Sequence, residues 1–280
     1  MRDKVVVITG GTSGIGQVAA EQLAGMGARI VLIARSQERA ASTLSRLRQA
    51  GPGVEHSARF ADLSSIAATR RVAAEIAADE PRIDVLVNNA GALFNTRQLS
   101  PDGLEMTFAV NHMAYFVLTQ GLRERLVGSA PARIVSTASG AHVGARLDFD
   151  DLQMAKNFSG FTAYGRSKLA NILFTRELAR RLVGTQVTAN CLHPGFVATR
   201  FGDNSGGLVQ AIMPLAKLLA LSPEKGAETI VYLASSPEVA NVTGLYFTHH
   251  SPKTPSPAAQ DDAAAARLWA ESEAIAAAVA

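Results

Sequence analysis

Cysteine is almost absent: the 280-residue chain has one, Cys191. A single thiol excludes an intramolecular disulfide framework and any zinc site built from several cysteines. Its plain reading is a small buried hydrophobe. Charge is sparse too. Asp, Glu, Lys and Arg make up 18% of the residues, and the formal net charge is +3. An average domain carries about a quarter. The basic residues are scattered rather than gathered into a stripe, so nucleic acid is not an expected partner. No uncharged apolar run reaches the roughly 18 residues of a spanning helix. Residues 211–221 are apolar but are broken by Pro214 and Lys217. The run Val5-Val6-Val7-Ile8 after the charged start is too short for a signal peptide and stops at Gly10-Gly11. A soluble, cytoplasmic protein with no membrane partner is expected.

What is present is a regular alternation. Short apolar runs rich in Val, Ile and Leu are expected as strands at 5–8, 29–34, 54–60, 83–88, 133–136, 187–192 and 245–248. Between them, helical patterns run from the Gly10–Gly16 loop to about Met26, and over 37–50, 64–78, 102–126 and 164–182. Strands apolar on both faces belong to a sheet covered on both sides. Strand–helix alternation implies parallel βαβ units. The expected fold is α/β: one domain over residues 1–280, a doubly wound Rossmann-type parallel sheet of about seven strands. The alanine-rich stretch at about 258–278 is expected to be a packed C-terminal helix. The Pro-rich piece 251–257 should join it to the last strand.

Thr9-Gly10-Gly11-Thr12-Ser13-Gly14-Ile15-Gly16 follows the first strand and opens a helix. Glycines permit a tight turn and close approach of backbone to a pyrophosphate, and the helix N-terminus offers free N–H groups. The strand before and helix after are the context that gives the pattern weight. The spacing lacks the Gly-Lys-Ser/Thr ending of a nucleoside triphosphate loop. At the end of the second strand stands Ala34-Arg35-Ser36, about 20 residues past the loop, where an NAD-binding chain would carry an acidic residue. A guanidinium suits a 2′-phosphate, and Ser13 offers a further donor. NADP(H) is therefore the expected cofactor.

Tyr164-Gly165-Arg166-Ser167-Lys168 places a phenol and an ammonium four residues apart, on one helix face. A tyrosine near pKa 10 exchanges protons poorly at neutral pH. A neighbouring cation favours the phenolate and lowers that pKa, which makes the pair a general acid or base for carbonyl–alcohol chemistry. With these residues the chain resembles the short-chain dehydrogenase/reductase family, in its retinol-dehydrogenase-like and protochlorophyllide-reductase-like branch. The glycine loop, Asp62-Leu63, Asn88-Asn89-Ala90-Gly91, Asn111, Ser139, the Tyr164/Lys168 pair, and Pro194-Gly195 with Val197 and Thr199 resemble the family's motifs in order. Residues 133–142 (RIVSTASGAH), 167–182 and the tail Ala266-Arg267-Leu268-Trp269 carry the likeness to the branch.

The resemblance implies roles. Tyr164 would exchange the proton, and Ser139 would orient the substrate oxygen. Lys168 would hold the nicotinamide ribose and lower the tyrosine pKa. Asn111 would support a relay water through its backbone. Asp62, Leu63, Asn89, Ala90, Gly91, Pro194, Gly195, Val197 and Thr199 would line the cofactor. The branch has a Ser-Ser pair where this chain has Ala138-Ser139, so Ser136 is the local competitor. The membrane-anchoring N-terminal segment of animal retinol dehydrogenases has no counterpart here, which adds to the expectation of a soluble protein. Family members commonly pair through two long helices, here about 102–127 and 162–183, so a homodimer is a possible assembly.

Candidate substrate segments are 93–97, 142–161 and 200–222. They are rich in Phe, Leu, Met and Gly, which suits a small hydrophobic carbonyl or alcohol. Reduction of an activated C=C bond is the enzymatic alternative. A non-catalytic NADP(H)-binding regulator is the other. No metal is expected: His249-His250 have no ligand cluster near in sequence, and His56, His112 and His142 read as structural.

Overall fold

The computed structural model describes residues 1–195 and 222–279. Eight strands form one sheet in the order β3-β2-β1-β4-β5-β6-β7-β8. They are β1 (Val5–Thr9), β2 (Arg29–Ala34), β3 (Ser57–Phe60), β4 (Val85–Asn88), β5 (Ala132–Thr137), β6 (Val187–His193), β7 (Tyr246–Thr248) and β8 (Ser251–Pro252). All neighbours are parallel except β7 and β8. Alternate residues of β1 explain why its run is unbroken. Val5 and Val7 pack into one core, and Val6 and Ile8 into the other. On the second of these faces lie α1 (Gly14–Gly25), α2 (Gln37–Ala50) and α7 (Pro223–Ser235). On the first lie α3 (Ile66–Asp79), α5 (Ala114–Gly128), α6 (Gly160–Arg181) and α8 (Asp262–Ala278).

The structure departs from the expected elements in several places, and the third strand starts only at Ser57. The eighth strand adds to the expected seven. It enters through His249 and His250, both at positive φ (48° and 65°), the backbone that a two-residue hairpin turn requires. The usual Asn-Gly signal is missing, and Pro252 is tolerated because β8 is the sheet edge. The His pair thus forms the turn, and His250 stacks on Tyr232 at 4.8 Å. Among the described residues no group of His, Cys, Asp or Glu could hold a metal ion.

The long helix expected from 102 begins at α4 (Met106–Phe108), where the Glu105 carboxylate accepts from the Thr107 and Phe108 N–H groups at 2.8 Å each. It continues through a π-helical turn (Ala109–Met113) into α5. The C-terminal helix is preceded by a 3₁₀ turn (Pro257–Gln260).

The α8 helix lies along α6. Trp269 sits edge-on to Phe116 of α5 at 5.0 Å, stacks with Phe174 of α6 at 5.9 Å, and carries the Arg181 guanidinium 4.4 Å above its ring. These are the helices on which the pairing expectation rests, and within one chain α8 packs along α6 and touches α5 through Trp269. Among the described residues no helix is long and apolar enough to cross a membrane.

Candidate active site

The carboxyl ends of β1, β4, β5 and β6 meet on one edge of the sheet, where open α/β sheets bind ligands. Thr9 joins the first two. Its Oγ1 accepts from the N–H groups of Asn89 and Ala90, each at 2.9 Å. Asn89 returns the contact, donating from Nδ2 to the carbonyls of Thr9 (3.2 Å) and Gly10 (3.4 Å). Its Oδ1 accepts from Thr137 of β5 at 3.3 Å. This close seam is why glycine is needed. A Cβ on Gly16 would run into Asn89 Nδ2 and the Gly10 carbonyl, and Gly10 has φ +66° and would lie 2.9 Å from Ala90 Cα.

Thr12, Ser13, Gly14 and Ile15 complete the loop. Ser13 is the N-cap of α1 but makes no side-chain cap bond, so the first N–H groups of α1 are left for another acceptor. A pyrophosphate fits that donor set. Arg35 is exposed at the end of neighbouring β2, and among the described residues no ion-pair partner engages it. Asp62 Oδ1 caps the turn after β3, accepting from Ser64 N at 3.0 Å and Ser64 Oγ at 2.9 Å, while Leu63 is buried.

The residues expected to react come from three elements. Ser139 follows β5 and opens a 3₁₀ turn (Gly140–His142), where its Oγ accepts from the Ala141 N–H at 3.2 Å and its side chain acts on the Tyr164 phenol to lower its pKa. The competitor Ser136 lies buried inside β5, in register between Asn88 and Cys191. Lys168, one turn beyond Tyr164 on α6, is 2% exposed. Its Nζ donates to the Thr137 carbonyl at 3.1 Å and lies 5.5 Å from the Tyr164 ring centre and 5.9 Å from that of Tyr115. It is also 3.4 Å from where a Cβ on Gly91 would stand.

Asn111 occupies the π-helical turn, a form that recurs at functional sites. Its Oδ1 accepts from Ala92 N at 2.8 Å, and its Nδ2 donates to Ala92 O and Ser167 Oγ at 2.9 Å each. The side chain therefore clamps the segment after β4 to α6. Pro194 and Gly195 follow β6 with Gly195 at φ +86°. Val197, Thr199 and nearly all of the 200–222 segment lie outside the described residues.

The electrostatics differ from the sequence reading in one respect. Lys168 was expected to lower the Tyr164 pKa. Instead, burial pushes the phenol up to about 12, with the Ser139 hydrogen bond opposing it. The reason is that Lys168 is desolvated as well, and burial pushes its own pKa down to about 7. A protonated phenol beside a hydroxyl is a proton donor. Sequence reasoning passed over Tyr115, whose hydroxyl donates to the Ala90 carbonyl at 2.8 Å under the lysine. It also passed over Thr137. Neither belongs to a spacing pattern, and Tyr115 reads as ordinary core, whereas Thr9 opens the glycine motif.

The Lys168 shift has a consequence for stability. Between its folded pKa of about 7 and the ordinary 10.5, an unfolded lysine holds a proton that the folded one has lost. Stability then rises with pH across that window. Urea midpoints without added cofactor should climb from pH 7 to pH 9 in the wild type and climb less in Lys168→Met. Parallel slopes would show that Lys168 titrates normally.

The family model for short chain dehydrogenase matches residues 4–206. Human retinol dehydrogenase 13 is 42% identical over 277 residues, spanning 96% of this chain and 83% of that protein. Human retinol dehydrogenase 14 is 42% identical over 290 residues, spanning 98% and 86%. A short chain dehydrogenase from Burkholderia cenocepacia J2315, solved in complex with NADP, is similar with a TM-score of 0.71 at 27% identity. That match covers 93% of this chain and 99% of that one.

Proposed function

The chain belongs to the short-chain dehydrogenase/reductase family, with retinol dehydrogenases among its relatives. On that premise we propose that it is an NADP(H)-dependent oxidoreductase interconverting a carbonyl and an alcohol on a small hydrophobic substrate. The observation that carries this reading is the buried Tyr164 phenol, under the influence of Ser139 and with Lys168 one turn on, at the sheet edge where the glycine loop ends β1. When bound, the cofactor supplies or accepts the hydride.

The chain's own residues do the rest. Tyr164 gives its proton to the substrate oxygen during reduction and takes it back during oxidation. Ser139 donates a second hydrogen bond to that oxygen and orients it. Lys168 holds ribose hydroxyls, and Asn111 keeps the turn after β4 against α6. The amides of Gly14, Ile15 and Gly16 receive the pyrophosphate, and Arg35 with Ser13 receives the 2′-phosphate. Asp62, Leu63, Asn89, Ala90, Gly91, Pro194 and Gly195 frame the remainder.

Val143 and Phe161 support an apolar substrate. They remain 68% and 70% exposed although each lies within four residues of Ser139 or Tyr164. Large apolar side chains left at a site's rim suit a ligand that covers them. Relatives named for retinol, a long apolar alcohol, point the same way.

The test is NADPH oxidation against a panel of apolar aldehydes and ketones, using cofactor deuterated at the transferring position. The label should appear on the carbinol carbon of the product. A label on a saturated carbon would replace this reading with C=C reduction, and no oxidation with any member would reject it.

A further inference from the structure

Two buried histidines flank the catalytic turns, and both reach the chain's C-terminal segment. His142 ends the 3₁₀ turn that Ser139 opens. Its Nδ1 lies 2.7 Å from the Ser139 carbonyl oxygen and its Nε2 3.2 Å from the Ser256 amide nitrogen. A carbonyl only accepts and a backbone N–H only donates. Nδ1 therefore carries the proton, Nε2 is the bare acceptor, and the ring is held neutral in one orientation. Tyr246 of β7 packs against it edge-on at 5.2 Å.

His112 follows Asn111 in the π-helical turn. Its Nε2 lies 2.8 Å from Ser272 Oγ, and that hydroxyl donates to the Leu268 carbonyl at 2.7 Å. Ser272 can then only accept from the ring, so His112 is neutral in the opposite tautomer. Ser256 and Ser272 both come after the last strand, one at the 3₁₀ turn and one in α8. The segment is itself anchored. Asp262 pairs with Arg176 at 2.8 Å and Arg180 at 2.6 Å, and Trp269 is buried between α5 and α6.

We propose that His142 and His112 are positioning residues through which the C-terminal segment braces the turns carrying Ser139 and Asn111. The proposal rests on the oxidoreductase reading, because it assigns those two turns to catalysis. Ser139 is held at both ends: its hydroxyl accepts from the Ala141 N–H at 3.2 Å, and its carbonyl accepts from the His142 ring. The imidazole is held in turn by Ser256. Removing the Ser256 N–H leaves the ring one bond and lets the turn drift. A displacement of about 1 Å at a reacting group costs on the order of 100-fold in rate, and a loosened turn costs less.

Ser256→Pro makes this removal cleanly. Ser256 has φ −57°, which proline adopts without strain, and its hydroxyl has no partner among the described residues. We expect kcat to fall about 10-fold, by a partial displacement of that kind. The KM for NADPH should stay near the wild-type value, and amide exchange at residues 141–143 should quicken. His142→Asn keeps a donor for the Ser139 carbonyl but cannot reach Ser256, so it should match Ser256→Pro. His142→Leu loses both bonds and should fall further.

Unchanged kcat in a folded Ser256→Pro protein would overturn the proposal, whether or not exchange quickens. If the wild-type protein oxidises no NADPH with any carbonyl compound, the functional reading fails by itself. In that case unchanged exchange at 141–143 in Ser256→Pro removes the brace, and faster exchange keeps it.

Discussion

Tyr164→Phe is expected to lower turnover by about 10²–10⁴-fold, the usual contribution of a positioned general acid, while NADPH binding stays measurable. The ring survives the substitution, so its packing beside Lys168 at 5.5 Å is kept. Only the hydroxyl and its interaction with Ser139 are lost. Because burial holds the phenol near pKa 12, the wild-type residue is a protonated donor throughout neutral pH, and no other group described at the site replaces it. Lys168 is directed at the Thr137 carbonyl. The check is paired: turnover with a carbonyl substrate, and NADPH affinity from fluorescence titration. Near-normal turnover in the variant would sink the proposed mechanism. A loss of NADPH binding as large as the loss of turnover would assign Tyr164 to cofactor binding instead.

Arg35→Asp is expected to produce the second large effect, a separation of the two nicotinamide cofactors. A hydrogen bond to a charged group contributes about 1.5–3 kcal/mol, which is about 10- to 150-fold in affinity, and an aspartate would add repulsion toward a 2′-phosphate. The KM for NADPH should therefore rise by about 100-fold or more. The KM for NADH should change by a few-fold at most, since a carboxylate at this position accepts from ribose hydroxyls. Arg35 is exposed and holds nothing else in place among the described residues, so the melting midpoint should stay put. Equal changes for the two cofactors would remove Arg35 from the phosphate site.

The fold was legible wherever local pattern carries it. The β2 strand and α2 helix fall on the residues that the apolar run and the helical period indicate. The π-helical turn was not legible. Its residues fit an ordinary helical period, and the widening is visible only in the bond from Ala114 N to Ala109 O. The eighth strand was hidden because a His-His turn at positive φ carries none of the usual turn residues. At the site, Ser139 and Ser136 are equivalent as letters. They differ because one lies past the strand end beside Tyr164 and the other is buried within β5, between β4 and β6. His142 read as structural, and no spacing rule connects it to Ser256.

The charge balance and single cysteine, the strand–helix alternation and the glycine, Tyr-x3-Lys and Asn-Asn-Ala-Gly motifs were determined by the sequence alone. Each rests on residue type and on neighbours within a few positions, where helix and strand periods and turn chemistry act. Tertiary structure alone decided three things. Burial raises the Tyr164 pKa, α8 packs along α6 and touches α5 through Trp269, and two histidines join the turns of Ser139 and Asn111 to the C-terminal segment. Those outcomes depend on desolvation and on bonds between residues 114 and 160 positions apart. Only the packed chain brings such groups within reach of each other and away from water.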